Sequence, residues 1–200
     1  MRPSHLSVER ADKMEQMYKG TSIQEAFVLD MLEYKNNGFY VELGASHPTQ
    51  GNNTYFLETD FNWKGVSFEI NEKERSKFNS LRNNLCKGDA LTFNYLKYFN
   101  ENRFPKQIDF LQIDLDDSFE KSTENKFLPV LGLISLPLNQ YRFSVITFEH
   151  DESIDSENII VKDVQREILK ALGYTLVHEE HYEDWWVDPL VIEEERYKRQ

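Results

Sequence analysis

The sequence predicts an α/β fold, a mostly parallel sheet covered by helices on both faces and closed by a hairpin. Three observations carry that prediction. Short apolar runs alternate with helix-like periodicities about five times before the chain closes. The first of these runs, Phe39 to Leu43, stops at Gly44 and gives way to a polar loop and a helix start. Acids or a glycine close four of the runs, at Glu42-Leu43-Gly44, Glu69, Asp114/Asp116 and Glu149/His150. Those are the strand ends at which open α/β sheets bind their ligands.

Residues 1–21 form a polar segment, 22–192 a single folded domain and 193–200 a charged tail. Ser22 is a candidate N-cap for a helix in which Ile23, Phe27, Met31 and Leu32 recur near helical spacing. That helix ends about Lys35, before the stop signal Asn36-Asn37-Gly38. Phe39, Val41 and Leu43 alternate with Tyr40 and Glu42 as a strand, and Gly44 permits a turn without a Cβ clash. Asn52, Asn53 and Thr54 are N-cap types for a helix over 53–61, whose free N–H groups suit a carboxylate or phosphate. A turn at Asn62-Trp63-Lys64-Gly65 leads into strand 66–70, and helix 72–83 carries Phe78 and Leu81 inward.

Gly88-Asp89-Ala90 marks where a third strand reaches the ligand edge, while Leu91 to Asn100 is aromatic-rich without a decisive period. Ile108 to Asp114 is a mostly apolar run, as a central parallel strand requires. Residues 118–140 read as helix, with Pro129 and Pro137 as breakers or first-turn positions. Strand 143–148 follows. Helix 157–171 then presents Ile160, Val164, Ile168 and Leu172 in steps of four and closes at Gly173. Segments 174–178 and 185–192 make the closing strands.

Composition narrows the function classes. The 200 residues are 40% hydrophobic and 14% aromatic, enough for a core in one domain. A net charge of -12 disfavours nucleic acid and anionic membrane as partners. Cys86 is the single cysteine, which excludes an internal disulfide and agrees with a reducing cytoplasm. There is no apolar run of membrane-spanning length, and Met1 to Gly20 is too polar for a signal peptide.

Glu69 closes its strand about 20 residues after the glycine turn, where doubly wound folds hold ribose hydroxyls, so a nucleoside-containing cofactor is the first expectation. Asp114 and Asp116 are two apart and share one side of an extended chain. His150, past the neighbouring strand, suits a general base oriented by Glu149 or an aspartate. The same set suits a divalent cation through its oxygens, a reading not favoured. His47 lies in the loop, Gln24 in the leading helix. His178 and His181 lie on a closing-strand edge, and Cys86 reads as a buried filler. Of Trp185-Trp186, alternation turns one ring to the core and one outward, where it would serve as a sugar platform or lid.

Taken together, Glu42-Leu43-Gly44-Ala45, Asn53 to Glu58, Trp63-Lys64-Gly65-Val66, Glu69, Ile108 to Asp114, Phe148-Glu149-His150 and Leu172-Gly173-Tyr174 resemble the FkbM family of S-adenosylmethionine-dependent methyltransferases. The resemblance runs from about Ser22 to Pro189. It implies a class I, Rossmann-like three-layer sandwich with a seven-stranded, mostly parallel sheet and an antiparallel closing strand. It also implies O-methylation, often of sugar hydroxyls. Carried over, Glu42, Gly44 and Ala45 line the methionine and ribose side, and Asn53 and Thr54 hold the amino-acid end. Glu69 binds the ribose hydroxyls, and Asp89 and Ala90 flank the adenine. Asp114, Asp116 and His150 stand at the acceptor. The chain departs from the family at Ser46 to Gly51, where a glycine-bearing turn is usual, and at Asp116-Asp117, where an acid is usually followed by glycine.

Two other readings share this fold. An NAD-type oxidoreductase would need the second and third glycines of Gly-x-Gly-x-x-Gly, and Ser46 and Thr49 stand there instead. A non-catalytic cofactor-binding module is compatible with the altered loop.

Overall fold

The computed structural model describes residues 23–115, 126–152 and 156–194. Helix α1 (Ile23–Met31) leads into strand β1 (Phe39–Leu43), α2 (Tyr55–Phe61), β2 (Lys64–Phe68), α3 (Glu72–Leu81), β3 (Leu85–Lys87) and α4 (Tyr95–Glu101). There follow β4 (Gln107–Ile113), α5 (Leu128–Ser135), β5 (Arg142–Glu149), a 3₁₀ turn (Ser156–Asn158), α6 (Ile159–Ala171), β6 (Thr175–Glu179) and β7 (Glu183–Val187). The seven strands form one sheet in the order β3-β2-β1-β4-β5-β7-β6. All neighbours are parallel except β7, which runs antiparallel to both β5 and β6.

The sheet divides the apolar side chains into two layers. Val41, Leu43, Phe68, Ile113, Ile146 and Trp186 belong to the core under α4, α5 and α6. Tyr40, Phe110, Val145 and Trp185 pack with Phe27 of α1 and Phe56, Leu57 and Phe61 of α2. At the β3 edge, Phe78 of α3 meets Cys86 and Ala45. Cys86 is buried and unbridged, as a filler should be.

Several expectations are corrected in detail. Strand β2 begins two residues before the expected start, because its register with β1 pairs Phe39 with Lys64. The ambiguous stretch 91–100 contains helix α4, started by the Asn94 side chain accepting from Lys97 N–H. Of the helix expected over 118–140, residues 116–125 lie outside the described residues, and α5 occupies Leu128–Ser135 with Pro129 in its first turn. Leu81 is 59% exposed rather than inward. The space beside Phe78 belongs to Arg82, whose guanidinium sits 4.6 Å from that ring.

On α6 the stripe is displaced. Ile160 is exposed, and Val161, Gln165 and Leu169 are buried, because this face meets the polar end of β7 through Gln165 and Arg166. Neither Trp185 nor Trp186 faces outward. Helix α1 covers the side expected to be open, with Phe27 4.6 Å from the Trp185 ring, so no exposed platform or lid exists there.

Candidate functional site

The carboxyl ends of β3, β2, β1, β4 and β5 lie side by side along one rim, which places Asp89, Glu69, Gly44, Asp114 and Glu149 in a row. Gly44 is what lets the row close. Its φ is +89°, and a Cβ built on it would stand 1.7 Å from the carbonyl oxygen of Asp114. Gly44 and Ala45 both donate N–H to the Phe68 carbonyl, and Asp114 N–H donates to Leu43 at 2.8 Å. The glycine therefore serves a backbone-to-backbone approach at the centre of the rim.

Below the rim lies a buried polar layer. Glu42 is 1% exposed and accepts from Asn52 Nδ2 (3.0 Å), the Thr54 hydroxyl (3.1 Å) and the Ser67 hydroxyl. Burial pushes its carboxyl up to about 7, against the opposing pull of Arg82. Ala45 is buried, and Asn53 is half-buried at the end of the loop. Asn52, absent from the expected site, joins Glu42 to the Ala45 carbonyl and accepts from Thr54 N–H.

The start of α2 differs from expectation. Its N–H groups at Phe56 and Leu57 are taken by one oxygen of Glu25, at 2.7 and 3.2 Å. Glu25 is buried on α1, and burial raises its carboxyl to about 8. In sequence it was one acid on an amphipathic helix, and nothing local distinguished it.

Glu69 stands half-buried at the end of β2. One oxygen accepts from Ser46 N–H at 2.8 Å and the other from Asn71 N–H at 2.7 Å. Asp89 is exposed and makes an Asx turn with Leu91 N–H and the Thr92 hydroxyl, beside buried Ala90. His47 caps its own turn, with Nδ1 accepting from Thr49 and Gln50 N–H.

At the β4–β5–β7 end, Asp114, Glu149 and Asp151 come together. Burial first, then Asp114 and Asp151, holds the Glu149 carboxyl far above the ordinary range. Glu183 on β7 is likewise raised to about 7 by burial, and it accepts from Gln24 of α1, whose amide oxygen takes the Thr147 hydroxyl. Gln24 is thus buried. Gln112 Oε1 and Asp151 Oδ1 are buried there without a hydrogen-bond partner. Asp116 lies outside the described residues. Among the described residues, no group of three or more His, Cys, Asp or Glu is arranged to hold a metal ion.

His150 is separated from this group. Its side chain has no exposure, and Nε2 is turned to Asp184 Oδ1 at 3.7 Å. Burial works to raise Asp184, but the two 2.7 Å bonds from Arg166 hold it below the usual carboxylate range. His178 pairs with Glu180 at 2.8 Å, and His181 is exposed. Arg166→Met takes the paired cation from buried Asp184 and leaves it the Gln165 amide alone among its close donors in the described residues, so urea denaturation is expected to show a loss of about 3–5 kcal/mol.

The strand order, the reversed β7 and the glycine-closed rim define a class I methyltransferase fold. Two of the solved structures that share it illustrate the likeness. A Staphylococcus aureus protein assigned as a caffeoyl-CoA O-methyltransferase superposes with a TM-score of 0.55 at 13% identity, over 92% of this chain and 93% of that one. A Clostridium thermocellum protein assigned as an rRNA methylase gives 0.50 at 12% identity, over 90% and 96%. No family model and no curated protein sequence matches the chain.

Proposed function

We propose that this chain is an S-adenosylmethionine-dependent O-methyltransferase of FkbM type, acting on a hydroxyl of a sugar or glycoconjugate. The observation that supports it best is the distribution of acceptors and donors along the rim. Glu25 fills the α2 start with a carboxylate, and Glu42, Glu69, Asp114, Glu149 and Glu183 follow at or beneath the rim. A dinucleotide pyrophosphate would meet acids where it needs free N–H groups. A cofactor bearing a sulfonium, an ammonium and ribose hydroxyls meets acceptors, including the unpartnered Gln112 Oε1.

In this reading Glu69 takes the ribose hydroxyls, Asp89 and Ala90 flank the adenine, and Glu42, Gly44 and Ala45 back the methionine side. Asn53 and Thr54 border its amino-acid end. The cofactor supplies an electrophilic methyl group. The chain must align the acceptor oxygen, exclude water and take up the hydroxyl proton. In this reading Asp114, beside the proton-holding Glu149 carboxyl, would do the last, and Asp116 follows two residues on. His150 stands beneath, with Nε2 3.7 Å from Asp184 Oδ1. The charge of -12 argues for a small or glycan acceptor over a polyphosphate backbone. The resemblance of the rim motifs, rather than the likeness to solved folds, supports the sugar hydroxyl. No helix among the described residues is long and apolar enough to cross a membrane.

Calorimetric titration with S-adenosylmethionine and with NADH tests the cofactor. Binding of the first and not the second is expected, and the reverse overturns the reading. Glu69→Ala is expected to weaken S-adenosylmethionine by about 1–3 kcal/mol, the usual loss of a charge-assisted hydrogen bond. Methyl transfer to a panel of glycans tests the acceptor, and cofactor binding with no transfer would leave the non-catalytic module standing.

A further inference from the structure

We propose that Arg82 is the positioning residue of the loop after β1, a buried guanidinium that sets a shape for which such loops ordinarily use glycines. The loop from Ala45 to Thr54 carries Ser46 and Thr49 where a nucleotide-binding turn has its second and third glycines. Something else must hold its path. Arg82 follows α3 directly, and its side chain has no exposed surface. Nη1 donates to the Pro48 carbonyl at 2.8 Å and to Asn52 Oδ1 at 2.9 Å. Nη2 reaches the Thr54 hydroxyl at 3.2 Å, and Nε donates to Glu58 Oε2 at 2.9 Å.

One planar fork thus holds the middle of the loop, its end and the first helix after it. Glu58 balances the charge within 2.9 Å, and the Phe78 ring covers the guanidinium. The partner set demands donors in several fixed directions, which guanidinium has and ammonium lacks. Asn52 carries the restraint onward, since its amide also holds Glu42 and the Ala45 carbonyl beside the glycine turn. Arg82 lies 30 residues from Asn52 in sequence and has no local motif, so only the fold reveals it.

That the loop shape matters for a ligand rests on the methyltransferase reading, while the clamp itself does not. Two variants test both. Arg82→Met with Glu58→Gln removes the cation together with the carboxylate that pairs with it, so Glu58 is not left as an unpaired buried acid. Arg82→Lys keeps the charge and loses the fork. Hydrogen exchange, followed peptide by peptide, is expected to show amides of 46–54 exchanging about tenfold faster or more in both variants, with β4 and β5 unchanged. S-adenosylmethionine is expected to bind about tenfold more weakly or worse to both, even where Arg82→Lys unfolds at nearly the wild-type temperature. Wild-type loop exchange in Arg82→Lys overturns the proposal. So does a double variant whose core strands speed up as much as the loop. If the wild-type protein binds no S-adenosylmethionine, the methyltransferase reading falls, and the exchange data still decide the role of Arg82.

Discussion

Gly44→Ala is expected to cost the folded state about 4 kcal/mol or more, read as a lower urea midpoint, with loss of cofactor binding in whatever remains folded. Two effects add. The positive φ of +89° is strained for any residue with a Cβ. The larger effect is steric, because the new carbon would stand 1.7 Å from the Asp114 carbonyl oxygen. That atom is backbone at the end of β4, so no rotamer change relieves the clash. Either β1 and β4 separate or the turn rebuilds, and both spoil the rim. A Gly44→Ala protein with unchanged stability would mean that the central strands do not approach as described.

The second large effect is on pH. Burial raises Glu25 to about 8 and Glu42 and Glu183 to about 7, each from 4.5. Each group binds its proton more tightly in the folded chain than in the unfolded one. The associated stability is complete below about pH 4.5 and is lost as pH rises through 7 and 8. Asp184 shifts downward, so its loss falls at more acid pH, outside this window. The unfolding free energy is therefore expected to be lower at about pH 8.5 than at about pH 5.5, by several kcal/mol, since each tenfold gain in proton affinity on folding is worth about 1.4 kcal/mol. Glu25→Gln keeps an acceptor for the Phe56 and Leu57 N–H groups and removes one titration. It is expected to shrink that fall by about 2 kcal/mol or more. Equal falls in wild type and variant would show that Glu25 is not the buried acid that the geometry makes it.

The architecture was legible because alternation and punctuation are local. Phe39 to Leu43 followed by Gly44, and the mostly apolar run Ile108 to Asp114, announce parallel strands without any knowledge of their neighbours. Errors came where a distant element decided burial. Leu81 yields its interior space to Arg82, which the distant loop at Pro48 and Asn52 draws inward, and Trp185 is covered by α1. Ile160 gives up the inner face because Gln165 and Arg166 have a carboxylate to reach on β7.

The rim was legible in the same measure. Strand-end acids are visible in sequence, but their partners are not. Glu69 could be named, whereas its hold on Ser46 N–H, 23 positions earlier, could not. Glu25 resembled any helix-face acid until its carboxylate met α2, 31 residues on. Glu149 could be named as a strand-end acid and as an orienting neighbour of His150, yet in the fold it meets Asp114 while the histidine is buried against Asp184.

The bond between Gln24 and Glu183 spans 159 residues, and β7 enters the sheet between β5 and β6. The last of the described strands is therefore an interior one by position. During synthesis β5 presents a bare edge until residues 183–187 clear the ribosome, and a bare edge is a template for pairing with a neighbouring chain.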